Sequence, residues 1–195
     1  MLAVWALLLL SAGEAERAGP INRGDDAPAQ ALLGKPAPAL PALRWLDGKQ
    51  RSNRSLRGQV VVIRNFTSGC PFCASTLPGL ETLHRQLGPR GVQVLGVYHP
   101  KPPRAVSDDE VRGHARALGA SFPVGVDPDW ALVNAWWLDR GGGPWTSVTW
   151  VLDKQGRLRW VHPGGEYHTG GGAAHAQCHD DDQQLRALLQ ALLRE

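Results

Sequence analysis

Cysteine is scarce in this sequence. The 195 residues contain three, Cys70, Cys73 and Cys178, which excludes a small scaffold held together by several disulfides. The chain must instead be stabilised by a hydrophobic core, and 43% apolar residues are sufficient to build one. The length predicts one domain with tails rather than two domains.

The sequence also lacks any concentrated charge of one sign. Lys and Arg total 21 against 18 Asp and Glu, which gives a formal net charge of +3, and the basic residues are scattered along the chain. No basic stripe alternates with aromatic residues, so we predict that nucleic acid is not a partner. Tryptophan, by contrast, is frequent, with eight residues mostly in the second half. This indicates core packing and the lining of a groove.

A hydrophobic run of membrane-spanning length is missing at the start of the chain. The first ten residues are MLAVWALLLL, whereas a spanning helix needs about 20 residues. With Gly13 and Ala15 behind it, the run is typical of a signal peptide over residues 1–15, which predicts a periplasmic or secreted protein. Membrane contact would then occur only through an uncleaved signal segment. No Lys or Arg precedes the run, so an ordinary buried helix is the alternative.

The rest of the chain alternates between strand and helix patterns. Residues 16–33 have no clear period and predict a linker, and residues 34–195 predict one domain. Alternating strands and helices indicate an α/β fold with a central mixed β-sheet flanked by helices. The predicted strands are 59–66, 92–97, 122–126, 147–152 and 157–161; the predicted helices are 70–87, 108–118, 129–138 and 181–194; a hairpin is predicted over 43–50, and a Gly/His-rich loop over 162–180.

The sequence Cys70-Pro71-Phe72-Cys73 lies where a buried strand ends and a helix begins. Unpaired backbone N–H groups and the positive end of the helix dipole favour a thiolate there. A second sulfur one helical turn away can release a mixed disulfide, and Pro71 removes a donor that the first turn would leave unpaired. Half of a zinc site and two inert buried thiols are the alternatives, but no second Cys pair follows.

The motifs around this pair resemble those of TlpA/ResA-type thioredoxin-like proteins, within the wider redoxin (AhpC/TSA) superfamily. The resemblance implies a thioredoxin-like fold and an extracytoplasmic oxidoreductase that reduces, or sometimes oxidises, protein disulfides. Cys70 would be the nucleophile and Cys73 the resolving thiol. The partners would be protein thiols or disulfides and an upstream thiol reductant, with no cofactor beyond a Cys70–Cys73 disulfide. The similar segments are residues 34–38, 46–49, 56–58, 70–73, Pro78, 122–127 and 151–157.

The sequence departs from that family beside the Cys pair. Counting back from Asp153, Ser147 stands where the family has a cis-proline that shapes the substrate groove and keeps metals off the thiolates. Arg64 stands in a segment that is usually rich in aromatic residues. A nearby guanidinium would stabilise the Cys70 thiolate, but an outward, solvated Arg64 is an equal alternative. The groove and its supporting residues are predicted to be Arg64, Thr67, Pro71, Phe72, Thr146 and Ser147.

A second enzyme class shares part of this motif. Thr67-Ser-Gly-Cys70 resembles the T-x-x-C of peroxiredoxins, in which a Thr hydroxyl holds the peroxide near a reactive cysteine. Ile63 occupies the position where that family has a proline, and peroxiredoxins usually lack a second cysteine three residues on. Thiol peroxidase, with Cys70 as the peroxidatic residue, is therefore the alternative enzyme.

The loop after the last predicted strand concentrates histidines around the third cysteine. The predicted topology brings this loop to the Cys70 side of the sheet. One hypothesis is that Cys178 forms a disulfide with Cys70 or Cys73, or relays electrons to it. Another is a zinc or copper site made by His168, His175, Cys178 and His179, which would make the protein a thioredoxin-like metal-binding module. The flexible Gly170-Gly-Gly172 run favours a solvated loop instead.

Overall fold

The computed structural model describes residues 27–195. The predicted signal peptide and the first part of the predicted linker lie outside these residues. No helix within residues 27–195 is long and apolar enough to cross a membrane. The helices are α1 (Ala27–Leu32), α2 (Pro71–Leu87), α3 (Asp108–Ala117), α4 (Ala131–Trp136) and α5 (Ala176–Arg194); the strands are β1 (Arg44–Trp45), β2 (Val60–Phe66), β3 (Val92–Tyr98), β4 (Val124–Val126), β5 (Thr149–Leu152) and β6 (Leu158–His162).

The six strands form one mixed sheet in the order β1-β4-β3-β2-β5-β6. Strands β2, β3 and β4 are parallel, β5 is antiparallel to β2, and β6 is antiparallel to β5. The carboxyl ends of β2 and β3, the start of β5 and the end of β6 therefore all lie at the same end of the sheet. This thioredoxin-like α/β architecture confirms the predicted fold class.

Strand β2 is buried along its whole length because helices cover both faces of the sheet. Val60 and Val62 pack in the cluster that contains α2 and α5. Val61 and Ile63 pack in the other cluster, with α1 and α4. Full burial of each such side chain contributes about 1.5–3 kcal/mol to stability. Strand β2 therefore gives a rigid support to the Cys pair, which follows its carboxyl end.

Helix α2 begins where the sequence predicts. Cys70 is its N-cap residue, with an extended backbone, and its sulfur accepts a hydrogen bond from the Cys73 backbone N–H at 3.3 Å. Pro71 occupies the first turn, where no intrahelical N–H is needed. The helix dipole therefore points its positive end at the Cys70 sulfur.

Two predictions for the N-terminal part are wrong. Residues 27–32 of the predicted linker form α1, which contacts β6 and buries Ala29 and Leu32. The predicted hairpin is also absent from residues 43–50. Gly48 does make a turn, with its N–H bonded to the Trp45 carbonyl at 3.0 Å. Arg51 stacks over the Trp45 ring instead of pairing as a strand, and β1 pairs with β4 and forms the edge of the sheet.

The C-terminal helix begins earlier than predicted. Helix α5 starts at Ala176, after a short 3-10 turn over Ala173–His175, so the loop is shorter than residues 162–180. Ala and Gln, which begin this helix, are good helix formers. The polar composition of this segment concealed its helical structure.

Candidate active site

The two cysteines of the C-P-F-C motif differ in exposure. Cys73 is fully buried, whereas Cys70 is half-buried. Their sulfurs lie 2.6 Å apart, with the Cys73 thiol placed to donate to Cys70. The more accessible sulfur thus faces solvent, and the other lies beneath it within reach of a mixed disulfide.

The surroundings of the two sulfurs drive their pKa values apart. The hydrogen bond from Cys73 is the largest cause that lowers the pKa of Cys70, to about 5, and Ser147, the Cys73 backbone N–H and the positive charge of Arg64 contribute. Donation of that hydrogen bond raises the pKa of Cys73, and burial raises it further. At neutral pH the pair therefore holds one thiolate, Cys70, and one thiol, Cys73.

Ser147 faces both sulfurs. Its Oγ lies 3.5 Å from the Cys70 sulfur and 3.4 Å from the Cys73 sulfur. The preceding residue is fixed by a 2.8 Å hydrogen bond between Thr146 Oγ1 and His99 Nε2. Burial, with the nearby charges of Lys101 and Arg64, lowers the pKa of His99 to about 3, so this imidazole stays neutral. A hydroxyl thus stands at the position where the resembling family has a proline ring.

Arg64 points inward, which settles the alternative between a buried and a solvated guanidinium. It is completely buried, on the same side of β2 as α2. Its Nη1 donates to Thr149 Oγ1 at 3.1 Å and its Nη2 to the Gly165 carbonyl at 3.0 Å. Among the described residues no carboxylate forms an ion pair with Arg64. The Cys70 thiolate is therefore a negative charge that this buried cation stabilises.

Tyr167 completes the network beneath the pair, although no motif in the sequence points to it. Its hydroxyl lies 3.0 Å from Thr149 Oγ1, its ring lies 5.6 Å from the Arg64 guanidinium, and its backbone N–H donates to Thr76 Oγ1 at 3.3 Å. Burial raises the pKa of Tyr167 to about 12. A large aromatic residue inside a polar, Gly-rich loop was the available signal, because such a residue seeks burial.

The T-x-x-C interpretation gains no support from this geometry. Thr67 is buried, and its hydroxyl makes no hydrogen bond to either sulfur or to any other group in residues 27–195. Ile63, at the position of the peroxiredoxin proline, is an ordinary core residue. The hydroxyl beside Cys70 belongs to Ser147 instead.

A cavity of about 690 Å³ is lined by Phe72, the residue that precedes Cys73 in the motif. Phe72 and Trp145 meet edge to face at 5.6 Å on its wall, and Trp145 is 54% exposed. Trp137 also lines the cavity but is buried, and Trp136 packs against Trp150 in the core. Of Trp136, Trp137 and Trp145, it is thus Trp145 that presents an exposed surface.

The structure gathers most, but not all, of the predicted metal ligands. His168, His175 and Cys178 converge with Glu166, which the sequence analysis did not include in the set. His179 Nε2 bonds the Gly170 carbonyl at 2.7 Å instead. The described structure contains no disulfide between Cys178 and Cys70 or Cys73.

Comparison with known proteins agrees with this geometry. The model of the AhpC/TSA family matches residues 33–161. The chain belongs to the AhpC/TSA family. It is similar to the thiol-disulfide oxidoreductase ResA of Halalkalibacterium halodurans, with 27% identity over 63% of this chain and 64% of ResA. It spans less than two thirds of the length of the curated relatives it matches.

Two solved structures from Corynebacterium glutamicum share the fold. A thiol-disulfide isomerase is 27% identical, with a TM-score of 0.61 over 82% of this chain and 97% of that chain. A secreted thiol-disulfide isomerase is 23% identical, with a TM-score of 0.61 over 82% of this chain and 86% of that chain. The arrangement of this AhpC/TSA member is chemically suited to thiol–disulfide exchange, because it holds a stabilised thiolate above a second, protonated thiol.

Proposed function

We propose that this protein is an extracytoplasmic thiol–disulfide oxidoreductase that reduces disulfides in other proteins. The observation that carries the proposal is the 2.6 Å contact in which the buried Cys73 thiol donates to the half-exposed Cys70 sulfur. It produces a nucleophilic thiolate at neutral pH and keeps the resolving thiol protonated until it is needed.

The reaction follows from this division between the sulfurs. The Cys70 thiolate attacks one sulfur of a substrate disulfide, forms a mixed disulfide and expels the other substrate sulfur as a thiolate. Cys73 then loses its proton to the released thiolate and attacks the Cys70 sulfur. The second substrate sulfur departs and takes a proton from water. The substrate gains two electrons and two protons, and the protein is left with a Cys70–Cys73 disulfide, which an upstream dithiol reductant must reduce.

The cavity beside the pair supplies the place for the substrate chain. Phe72, which lies between Cys70 and Cys73 in the motif, and Trp145 offer apolar surface on the wall of this cavity. Ser147 can donate a hydrogen bond to a sulfur that carries negative charge during exchange. We expect the substrate to be an exposed protein disulfide flanked by an apolar side chain, because that side chain fits this wall.

The location is supported by the N-terminal apolar run, typical of a signal peptide, and by the likeness to an isomerase described as secreted. Structural disulfides are common outside the cytoplasm, so protein disulfides would be plentiful there. Fractionation of cells that express the full chain, with sequencing of the mature N-terminus, tests this part. Retention in the cytoplasm with residues 1–15 intact would contradict it.

The function is tested by a redox titration of the purified protein, read by thiol alkylation and mass. A Cys70 pKa of about 5 lies between those of thioredoxin, about 7, and DsbA, about 3.5. We therefore expect a midpoint between about −270 and −120 mV. A protein reductase requires a midpoint toward the first value, together with turnover on a model protein disulfide. A midpoint at the second value would mark an oxidant, and failure of the pair to oxidise would exclude the dithiol mechanism.

A further inference from the structure

A second cluster of reactive side chains lies between β6 and α5. One potential ligand atom from each of Glu166, His168, His175 and Cys178 falls within 4.8 Å of all the others. None of these four residues takes part in the exchange mechanism. Glu166 and Cys178 also line the cavity to which Phe72 contributes, so two members of the cluster form part of its wall.

The spacing of these atoms approaches that of a four-coordinate zinc site. Zinc bonds of 2.0–2.3 Å in a tetrahedron place neighbouring ligand atoms about 3.3–3.8 Å apart. Glu166 Oε1 lies 3.6 Å from His175 Nδ1 and 4.0 Å from the Cys178 sulfur. Glu166 Oε2 lies 3.7 Å from His168 Nε2. The four ligand atoms all lie within 4.8 Å of one another, so shifts of up to about one ångström would close them around one ion.

The loop that carries the ligands is fixed at several points. The His168 N–H donates to the Cys178 carbonyl at 3.3 Å, which joins the loop to α5. Gly171 has φ +85°, and a Cβ there would lie 2.6 Å from the His175 ring, so a glycine permits this ring to enter the cluster. Tyr167, between two of the ligands, is buried in the core. The scaffold is thus far more ordered than the Gly-rich sequence predicts.

We propose that Glu166, His168, His175 and Cys178 bind one zinc ion. Two imidazoles, one thiolate and one carboxylate are all zinc ligands, and four protein ligands make a closed structural site rather than a catalytic one. The ion would fasten the loop to the first turn of α5 and so fix the cavity wall. The site corrects the sequence-based set, because Glu166 replaces His179, whose ring is held by the Gly170 carbonyl.

The test uses the full chain with Cys70→Ser and Cys73→Ser, which removes the competing dithiol. Equilibrium dialysis against zinc should give one ion per chain, with a dissociation constant in the micromolar range or tighter. His168→Ala, His175→Ala and Cys178→Ala should each weaken binding by roughly tenfold or more. His179→Ala, the matched control in the same segment, should bind zinc as the parent does. Cobalt should give a tetrahedral visible spectrum with a thiolate charge-transfer band that Cys178→Ala removes.

Circular dichroism and thermal unfolding show whether a variant that binds no zinc has lost only the zinc site or has failed to fold. Zinc should raise the Tm of the parent and leave that of His168→Ala unchanged. Three results would overturn the proposal: a folded parent that binds no zinc in the micromolar range, equal losses in His179→Ala and His168→Ala, or copper binding without zinc binding. Because the parent here lacks both active-site thiols, none of these results bears on the exchange reaction.

Discussion

Two thiol clusters border one cavity of this molecule, the first through Phe72 and the second through Glu166 and Cys178, and their neighbours give them different chemistry. Cys70 is surrounded by proton donors and positive charge: the Cys73 thiol, the Ser147 hydroxyl, a helix N-terminus and Arg64. Cys178 is surrounded by groups with lone pairs, namely a carboxylate and two imidazoles. Donors stabilise an exposed thiolate and favour nucleophilic attack, whereas converging lone pairs favour a cation.

Of the changes considered, removal of the Cys70 thiol should have the largest effect on the rate of thiol–disulfide exchange. Cys70→Ser should reduce exchange with a model protein disulfide to the uncatalysed rate, because the remaining thiol of the motif, Cys73, is buried. Cys73→Ser should still attack but stall, since the mixed disulfide has no resolving thiol. Mass spectrometry should therefore find a trapped substrate adduct on Cys70 in Cys73→Ser alone. An adduct on Cys178 in either variant would show that the two clusters are not chemically distinct.

The second prediction concerns the pH dependence of Cys70. Its rate of alkylation should fall with a midpoint near pH 5, because the thiolate is lost below that pH. In Cys73→Ala the midpoint should rise by more than one unit toward that of an ordinary thiol, about 8.5, because the largest stabilising hydrogen bond is gone. The measurement is the pH profile of alkylation, located by peptide mass. An unchanged midpoint in Cys73→Ala would assign the shift to the helix terminus and Arg64 instead.

The two opposed pKa shifts should also appear in the stability of the reduced protein. The folded-state pKa of Cys70 lies below its unfolded value, so its contribution is present above about pH 8.5 and is lost as pH falls toward 5. The folded-state pKa of Cys73 is raised, so its contribution is present below about pH 8.5 and declines above it. The free energy of unfolding of the reduced form, relative to the oxidised form, should therefore peak near pH 8 to 9. Denaturant titrations of both forms over a range of pH check this prediction. If the difference between their free energies of unfolding did not change with pH, the opposed pKa shifts of Cys70 and Cys73 would be refuted.

Sequence reasoning succeeded where local chemistry and topology decide the structure. The junction of a buried strand with Cys70-Pro71 placed the pair on the N-terminus of α2. The alternation of strands and helices placed Ser147 and the β6–α5 loop at the same edge of the sheet. Each of these follows from short-range rules, because parallel strands and their connections bring their ends together.

The failures share another physical origin, namely contacts between residues far apart in sequence. The sequence does not show whether Arg64 is buried or solvated, because its partners, Thr149 and Gly165, are 85 and 101 residues away. The sequence does not show that Glu166 rather than His179 joins the potential metal ligands, because the spacing of residues does not reveal which side chains a turn directs inward. The helix at residues 27–32 was missed because its stability comes from burial against β6 rather than from its own pattern.

Replacement of Ser147 should change the pKa of Cys70 less than replacement of Cys73 does, because the Ser147 hydroxyl is the weaker hydrogen-bond donor to the Cys70 sulfur. Ser147→Ala should raise the pKa of Cys70 by about one unit or less, because one of several stabilising contacts is lost. At pH 7 a rise of one unit destabilises the reduced form tenfold, so the midpoint potential should become about 30 mV more negative. Redox titration beside the pH profile measures both quantities. A less negative potential would show that the hydroxyl stabilises the disulfide rather than the thiolate.

The smallest change in the pKa of Cys70 should come from Arg64, whose charge is the last of the causes that lower it. Arg64→Gln should raise that pKa by a few tenths of a unit, less than Ser147→Ala does. It should cost more in stability, because the Thr149 hydroxyl and the Gly165 carbonyl lose a charged donor, at about 1–3 kcal/mol in total. Arg57→Gln, at an exposed site, is the control. A larger pKa shift with little loss of stability would make Arg64 an electrostatic element of the active site rather than mainly a support for the loop.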